Sequence, residues 1–226
     1  MSTQLHTAMA DILQMPYFKN DNRKSGSSKD GHEEAVAIRI KDAGFIEVDK
    51  ANFLGITKSM LKKFAQTGDD TDLRNATQGL VPGSYILQPS GSQGFPDVLV
   101  LDFNNNFVCI ECKSGKGVSP MWNDSLPYPT TIYVFATKKT NETTIFMGRD
   151  VLSIEERELH SEFMKEVKLL IDKYRALLKP LDLFTRGWLF KARPQNFQEG
   201  GANKTNYFTH SKRKSCELLA LEYAKQ

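Results

Sequence analysis

Residues 94–115 read GFPDVLVLDFNNNFVCIECKSG, and this stretch decides the fold of the chain. Two apolar runs, 98–103 and 107–112, flank three consecutive asparagines. Short runs rich in Val, Ile and Phe that are separated by a turn cluster are typical of a β-hairpin. We therefore predict two paired strands here, with Asp97 at the start of the first strand.

The second predicted strand carries two charged side chains on one face. Glu111 and Lys113 are two residues apart, so they point to the same side, whereas Ile110 and Cys112 point to the other. Charges on an otherwise apolar strand need partners or a metal, because an unpaired buried charge is costly. The other interpretation is a turn aspartate followed by a solvated ion pair between Glu111 and Lys113.

Two carboxylates and one lysine in one place have a specific chemistry. Carboxylate oxygens suit Mg²⁺, which binds through one or two carboxylates together with phosphate oxygens and water. A lysine beside them can contact the scissile phosphate and help a water molecule to lose its proton. Asp97, Glu111 and Lys113 therefore predict metal-assisted hydrolysis of a phosphodiester bond.

The sequence Pro96-Asp97, a hairpin, and then Glu111-Cys112-Lys113 resembles the PD-(D/E)xK nuclease superfamily, which contains most type II restriction endonucleases. The resemblance implies a restriction-endonuclease-like core and a Mg²⁺-dependent, sequence-specific endonuclease that cuts double-stranded DNA and leaves 5′-phosphate ends. It also implies that Asp97, Glu111 and the backbone carbonyl of Cys112 hold Mg²⁺, while Lys113 orients or helps to deprotonate the attacking water.

A third acidic residue is expected on an upstream helix. Asp30 followed by Glu33 fits a helix N-cap with a glutamate three residues later, and Glu33 shares its helical face with apolar residues at 36, 37 and 40. Members of the superfamily often carry a glutamate on this helix, so the resemblance adds Glu33 to the catalytic set, with Glu34 as the alternate. The other interpretation is that Glu33 only complements the helix dipole.

Composition places the chain among ordinary globular proteins. At 226 residues and a net charge of +3, we expect a single domain over 1–226 with a core at about 30–150. The sequence has no apolar run long enough to span a membrane, its start does not resemble a signal peptide, and three cysteines show no pairing motif. We therefore expect a bacterial or archaeal cytoplasmic protein with reduced thiols.

The order of predicted elements indicates an α/β fold with a mixed central β-sheet flanked by helices. Residues 68–79 are polar and are predicted to form a loop. Further helices are predicted at 3–15, 58–66, 154–178 and 215–224, and further strands at 45–48, 85–87, 131–137, 143–147 and 187–192.

Two regions offer side chains suited to DNA. The loop after the second strand contains Lys116, Asn123 and Ser125, and the region 180–226 is basic and rich in Asn and Gln. Lys and Arg neutralise phosphates, whereas Arg, Asn and Gln can read base edges. The alternative is a solvated basic loop. The predicted DNA-binding residues of the second region are Arg193, Gln195, Asn196, Lys204, Asn206, Tyr207, Lys212, Arg213 and Lys214.

The expected partners are double-stranded DNA and a second copy of the chain, since the resemblance implies a homodimer. A cognate DNA methyltransferase is expected in the same system, without a stable complex. Two other functions stay open at this point: a structure-specific DNA repair or junction-resolving nuclease, and a non-catalytic DNA-binding protein built on a nuclease fold.

Overall fold

The computed structural model describes residues 3–18, 31–92, 94–123, 125–181, 195–196, 198 and 206–226. The chain divides into two compact units. The larger unit comprises Met1–Pro120, Pro127–Asp150 and Gln198–Gln226, and the smaller comprises Met121–Leu126 and Val151–Phe197. The prediction of one domain over the whole chain stays a prediction.

A six-stranded mixed β-sheet forms the centre of the larger unit, with the strand order β1-β2-β3-β4-β6-β7. The pairs β1–β2 and β4–β6 are parallel and the other pairs are antiparallel. This architecture confirms the α/β prediction. The strands are β1 (Ile46–Glu47), β2 (Ser84–Leu87), β3 (Val98–Leu101), β4 (Phe107–Gly115), β6 (Ile132–Thr137) and β7 (Glu142–Met147).

The predicted hairpin is present as β3 and β4. Its register pairs Val98 with Ile110 and Leu101 with Phe107. The Asp102 carboxylate accepts a hydrogen bond from the Asn106 N–H at 2.7 Å, and Asn105 has a positive φ of 66°, which asparagine tolerates. The asparagine cluster therefore makes the turn, and β4 continues to Gly115, three residues beyond the predicted end.

Three helices pack against one face of the sheet: α1 (Gln4–Leu13), α2 (Gly31–Asp42) and α6 (Arg213–Tyr223). Their buried apolar side chains meet alternate residues of β3 and β4, including Val98 and Ile110. Because side chains alternate along a strand, the residues between them point to the opposite face.

Two further helices cover that opposite face: α3 (Lys58–Thr67) and α4 (Thr71–Ala76). Residues 68–79 were predicted to be a loop, and the structure corrects this with α4. Leu73 of this helix is buried in the core on that face of the sheet. Asp70 and Arg74 form an ion pair at 2.6 Å across the first turn of the helix. A helix of six residues with a single buried apolar side chain has no hydrophobic periodicity that would predict it from sequence. Its formation depends instead on tertiary packing.

The smaller unit contains α5 (Ile154–Leu178) and a two-stranded ladder of β5 (Trp122–Asn123) and β8 (Gln195–Asn196). Ser153 and Glu156 form a reciprocal capping box at the start of α5, which has the bounds predicted for it. The predicted strand at 187–192 lies outside the described residues. Over the described part of the chain, no helix has the length and apolar character needed to cross a membrane.

Candidate active site

The hairpin register brings the two predicted metal-binding acids together. Val98 pairs with Ile110, so the preceding residue, Asp97, lies opposite Glu111 on the neighbouring strand. The Cys112 N–H donates a hydrogen bond to Asp97 Oδ2 at 2.7 Å. On the other side, the Gln88 N–H at the end of β2 donates to the Asp97 carbonyl oxygen at 2.7 Å. Asp97 is therefore held by both strands that flank β3.

Lys113 lies beside Glu111, as the strand alternation predicts. Its Nζ donates to Glu111 Oε1 at 2.7 Å, with the two side chains 29% and 13% exposed. Glu111 Oε2 is buried, and no hydrogen-bond partner is found for it in the described part of the chain. An unsatisfied buried carboxylate oxygen is unfavourable, so this atom is suited to a cation or a donor from a bound molecule.

Burial and neighbouring charge make Asp97 an unusually weak acid. Burial, followed by the charges of Glu111 and Glu33, raises the pKa of Asp97 from its ordinary 3.8 to about 8. Burial alone would lower the pKa of Lys113, but the charge and hydrogen bond of Glu111 outweigh it, and the pKa of Lys113 is raised. At neutral pH Lys113 therefore remains a cation, and Asp97 holds a proton that a bound metal ion would displace.

Helix α2 supplies the third acid. Glu33, Glu34 and Asp97 line one cavity of about 250 Å³, next to the end of β2. The charge of Glu33 is among the main causes that raise the pKa of Asp97. The apolar residues that share the face of Glu33, such as Val36 and Ile40, are buried in the core, so packing of the helix fixes where Glu33 lies.

Gln88 is a site residue that the sequence interpretation missed. Its Nε2 donates to Glu33 Oε2 at 3.1 Å, while its backbone N–H holds Asp97. Its φ is 46°, in the left-handed region that is uncommon for residues other than glycine. Strained backbone of this kind concentrates at functional sites. The sequence signal for Gln88 was its position directly after the predicted strand at 85–87, which does not predict the contact with Glu33.

The residues of this site fit a divalent cation. Within the described residues, no three His, Cys, Asp or Glu side chains are grouped so as to hold a metal by themselves. Mg²⁺ does not require such a group, because it binds through one or two carboxylates and completes its shell with water and phosphate oxygens. Asp97 with a raised pKa and Glu111 with an unsatisfied buried oxygen are the two carboxylates available.

The structure brings two of the predicted DNA-binding residues together. Asn123 pairs with Gln195 in the β5–β8 ladder, and Asn196 pairs there with the buried Trp122. Lys116 is exposed just beyond the end of β4, and Ser125 is half-buried. Arg193 and Lys204 lie outside the described residues.

The residues before α6 have structural partners of their own. The Asn206 side-chain oxygen accepts the backbone N–H groups of Phe208 and Thr209, which stabilises a turn. Tyr207 contacts the rings of Phe135 and Phe146 and donates its hydroxyl to Gln198. Their predicted DNA contacts stay predictions.

Arg213 lies in an ion-pair network that joins α6 to β7. Its side chain is 15% exposed, and its guanidinium contacts Glu217 at 2.7 Å and Glu142 at 2.6 Å. Lys214 is 81% exposed and also contacts Glu217, and Lys212 is exposed. Among these three basic residues, Lys212 and Lys214 present an accessible charge, whereas Arg213 holds two carboxylates of its own chain. The predicted DNA contacts of Lys212, Arg213 and Lys214 stay predictions.

Comparison of the chain with protein-family models, curated proteins and solved structures finds no match in any of the three. The case for the site therefore depends on its geometry: two opposed acids, a lysine paired with one of them, and a third acid from α2.

Proposed function

We propose that the protein is a Mg²⁺-dependent endonuclease of the type II restriction kind, with a restriction-endonuclease-like core, that hydrolyses phosphodiester bonds of double-stranded DNA at specific sequences. The observation that carries the proposal is the convergence of Asp97, Glu111 and Lys113 on one face of a hairpin, with a buried Glu111 oxygen that has no partner in the described chain.

When bound, Mg²⁺ would neutralise charge on the scissile phosphate and make an attacking water more acidic. Asp97 and Glu111 would hold the ion, with the Cys112 carbonyl as a further ligand. Lys113 keeps its proton at neutral pH, so its part is to bind a phosphate oxygen and orient the water rather than to accept a proton. Glu33, held by Gln88, adds negative charge near Asp97 and favours a cation over an anion in the cavity.

The partners belong to the same proposal. Double-stranded DNA is the substrate, a second copy of the chain cuts the opposite strand, and a methyltransferase of matching specificity protects the cell's own DNA. A cytoplasmic location follows for a bacterial or archaeal enzyme of this kind.

Digestion of plasmid and long linear DNA tests the proposal. The wild-type chain is incubated with Mg²⁺ or with a chelator, beside Asp97→Asn and an exposed-surface control, Asp11→Asn on α1. We expect discrete fragments with 5′-phosphate ends from the wild type and from the control, and no cleavage by Asp97→Asn or with the chelator. Asp97→Asn should still bind DNA in Ca²⁺, because metal-binding and DNA-reading residues are separate.

The other outcomes identify the alternatives. Cleavage confined to branched, nicked or mismatched DNA would indicate a repair or junction-resolving nuclease. Specific DNA binding without Mg²⁺-dependent cleavage of any substrate would indicate a non-catalytic DNA-binding protein. Cleavage by Asp97→Asn at the wild-type rate would disprove the assignment of the metal site.

A further inference from the structure

Helix α5 presents a continuous apolar stripe to solvent. Leu159, Phe163, Leu170 and Leu177 are 70%, 60%, 55% and 57% exposed. Their spacings of four and seven residues place them on one face of the helix. A helix with an apolar stripe normally buries it, and an exposed apolar patch of this kind marks an interaction site.

The charges of α5 are separated along its length. Residues 154–163 contain four glutamates and one arginine, a net charge of −3. Residues 164–178 contain four basic and two acidic side chains, a net charge of +2. The helix dipole favours this polarity only in the first and last turns. Glu162 and Lys165 lie in the middle of the helix, so the dipole does not account for the whole pattern.

We infer that α5 binds antiparallel to α5 of a second copy of the chain. An antiparallel pair places the acidic half of each helix against the basic half of the other, whereas a parallel pair would place like charges together. A two-fold axis through the middle of the stripe generates both contacts from one surface, as an isologous dimer interface requires. The two stripes then cover each other from Leu159 to Leu177, about 27 Å at 1.5 Å per residue.

Apolar side chains supply the attraction in such a pair, and the charges set its direction. The inference is independent of the proposed nuclease chemistry, because none of its residues belongs to the candidate active site. If both hold, α5 is the surface that joins two catalytic units.

The first experiment measures the mass of the full chain in solution over a hundredfold range of concentration. We expect a dimer for the wild type and a monomer, or a dissociation constant raised about 30-fold or more, for Phe163→Asp. Leu218→Asp is the matched control, because Leu218 on α6 is also 60% exposed and lies outside the stripe. Circular dichroism and the melting temperature report whether Phe163→Asp keeps its fold.

The second experiment changes only exposed charged residues, so its result does not depend on whether the fold tolerates a substitution at Phe163. One variant carries Glu158→Lys and Glu162→Lys, and another carries Lys165→Glu and Lys173→Glu. Each variant has one sign of net charge along the whole helix and should dissociate at low salt. An equimolar mixture should associate again as a heterodimer, because one variant is basic and the other acidic throughout.

Cysteine cross-linking tests the direction in a Cys216→Ser background. Leu159→Cys and Leu177→Cys chains should form a disulfide with each other when mixed, and much less with copies of themselves. A wild-type chain that is monomeric at every concentration would overturn the inference. So would charge variants that dimerise as the wild type does, or efficient cross-linking of Leu159→Cys to itself.

Discussion

Replacement of Asp97 by Asn should stabilise the protein at alkaline pH, and should do so only in the absence of a divalent cation. Asn is nearly isosteric, and its side-chain oxygen can still accept the hydrogen bond from the Cys112 N–H. What it removes is the negative charge that burial, Glu111 and Glu33 make unfavourable. Replacing a ligand-binding residue often makes a protein more stable, because such residues are held in an unfavourable electrostatic environment.

The pKa of Asp97 fixes the size and the sign of the effect. The pKa is about 8 in the folded chain and has its ordinary value of 3.8 without the fold. Between these values the folded chain binds more protons, so the free energy of unfolding of the wild type falls as pH rises. At about 1.4 kcal/mol per pH unit, the three units from pH 5 to pH 8 give an upper bound of about 4 kcal/mol.

The assay is thermal and urea unfolding of the wild type and Asp97→Asn from pH 5 to pH 9 with a chelator present. For a chain of this length, about 1 kcal/mol corresponds to about 2–4 °C, so the Asn variant should gain several degrees between pH 5 and pH 8. Mg²⁺ at pH 8 should stabilise the wild type by mass action and leave the variant unchanged. A difference between the two proteins that does not vary with pH would refute the electrostatic argument, and Asp11→Asn controls for surface charge.

Four further predictions follow from named contacts. Lys113→Ala should lose most cleavage activity in a plasmid assay; if its contact with Glu111 were only a surface ion pair, removal would cost about 0–1 kcal/mol of stability and no activity. Gln88→Ala should lower the cleavage rate by about 10- to 100-fold at unchanged DNA binding in Ca²⁺, and an unchanged rate would exclude Gln88 from the site. Lys212→Ala should weaken binding to cognate and scrambled duplexes alike and reduce the salt slope by about one, whereas a base-reading role would change only cognate binding. Arg213→Met should lower the free energy of unfolding by about 3 kcal/mol, because buried Glu217 loses a partner, and a loss of DNA affinity without destabilisation would contradict this assignment.

Strong local patterns account for the parts of the fold that the sequence predicts well. The hairpin has two apolar runs and an asparagine turn, and α5 has a capping box at one end and apolar periodicity along its length. The alternation of β4 also predicts that Glu111 and Lys113 share a face, which the ion pair confirms. In each case the decisive interactions lie within a few residues of one another in the chain.

The features that escaped prediction depend on contacts between distant residues. Gln88 donates a hydrogen bond to Glu33, which lies 55 positions away in the chain, and no sequence pattern around either residue predicts the contact. Arg213 contacts Glu142 across 71 positions, and no pattern around either residue predicts this ion pair. Helix α4 forms because Leu73 packs into the core, and the six residues of this helix do not by themselves predict that contact.

The balance of charge at the site differs from that of a matched structural ion pair. An ion pair kept for stability would match its charges, but here the charges of Glu111 and Glu33 both raise the pKa of Asp97, and Lys113 offsets them only in part. One Glu111 oxygen is buried without a partner in the described chain, and Asp97 must keep a proton to remain folded at low cost. A divalent cation would remove both penalties at once, because it would supply positive charge and be coordinated by the buried Glu111 oxygen. These unfavourable electrostatics are therefore a physical argument for the proposed metal-dependent function of the site.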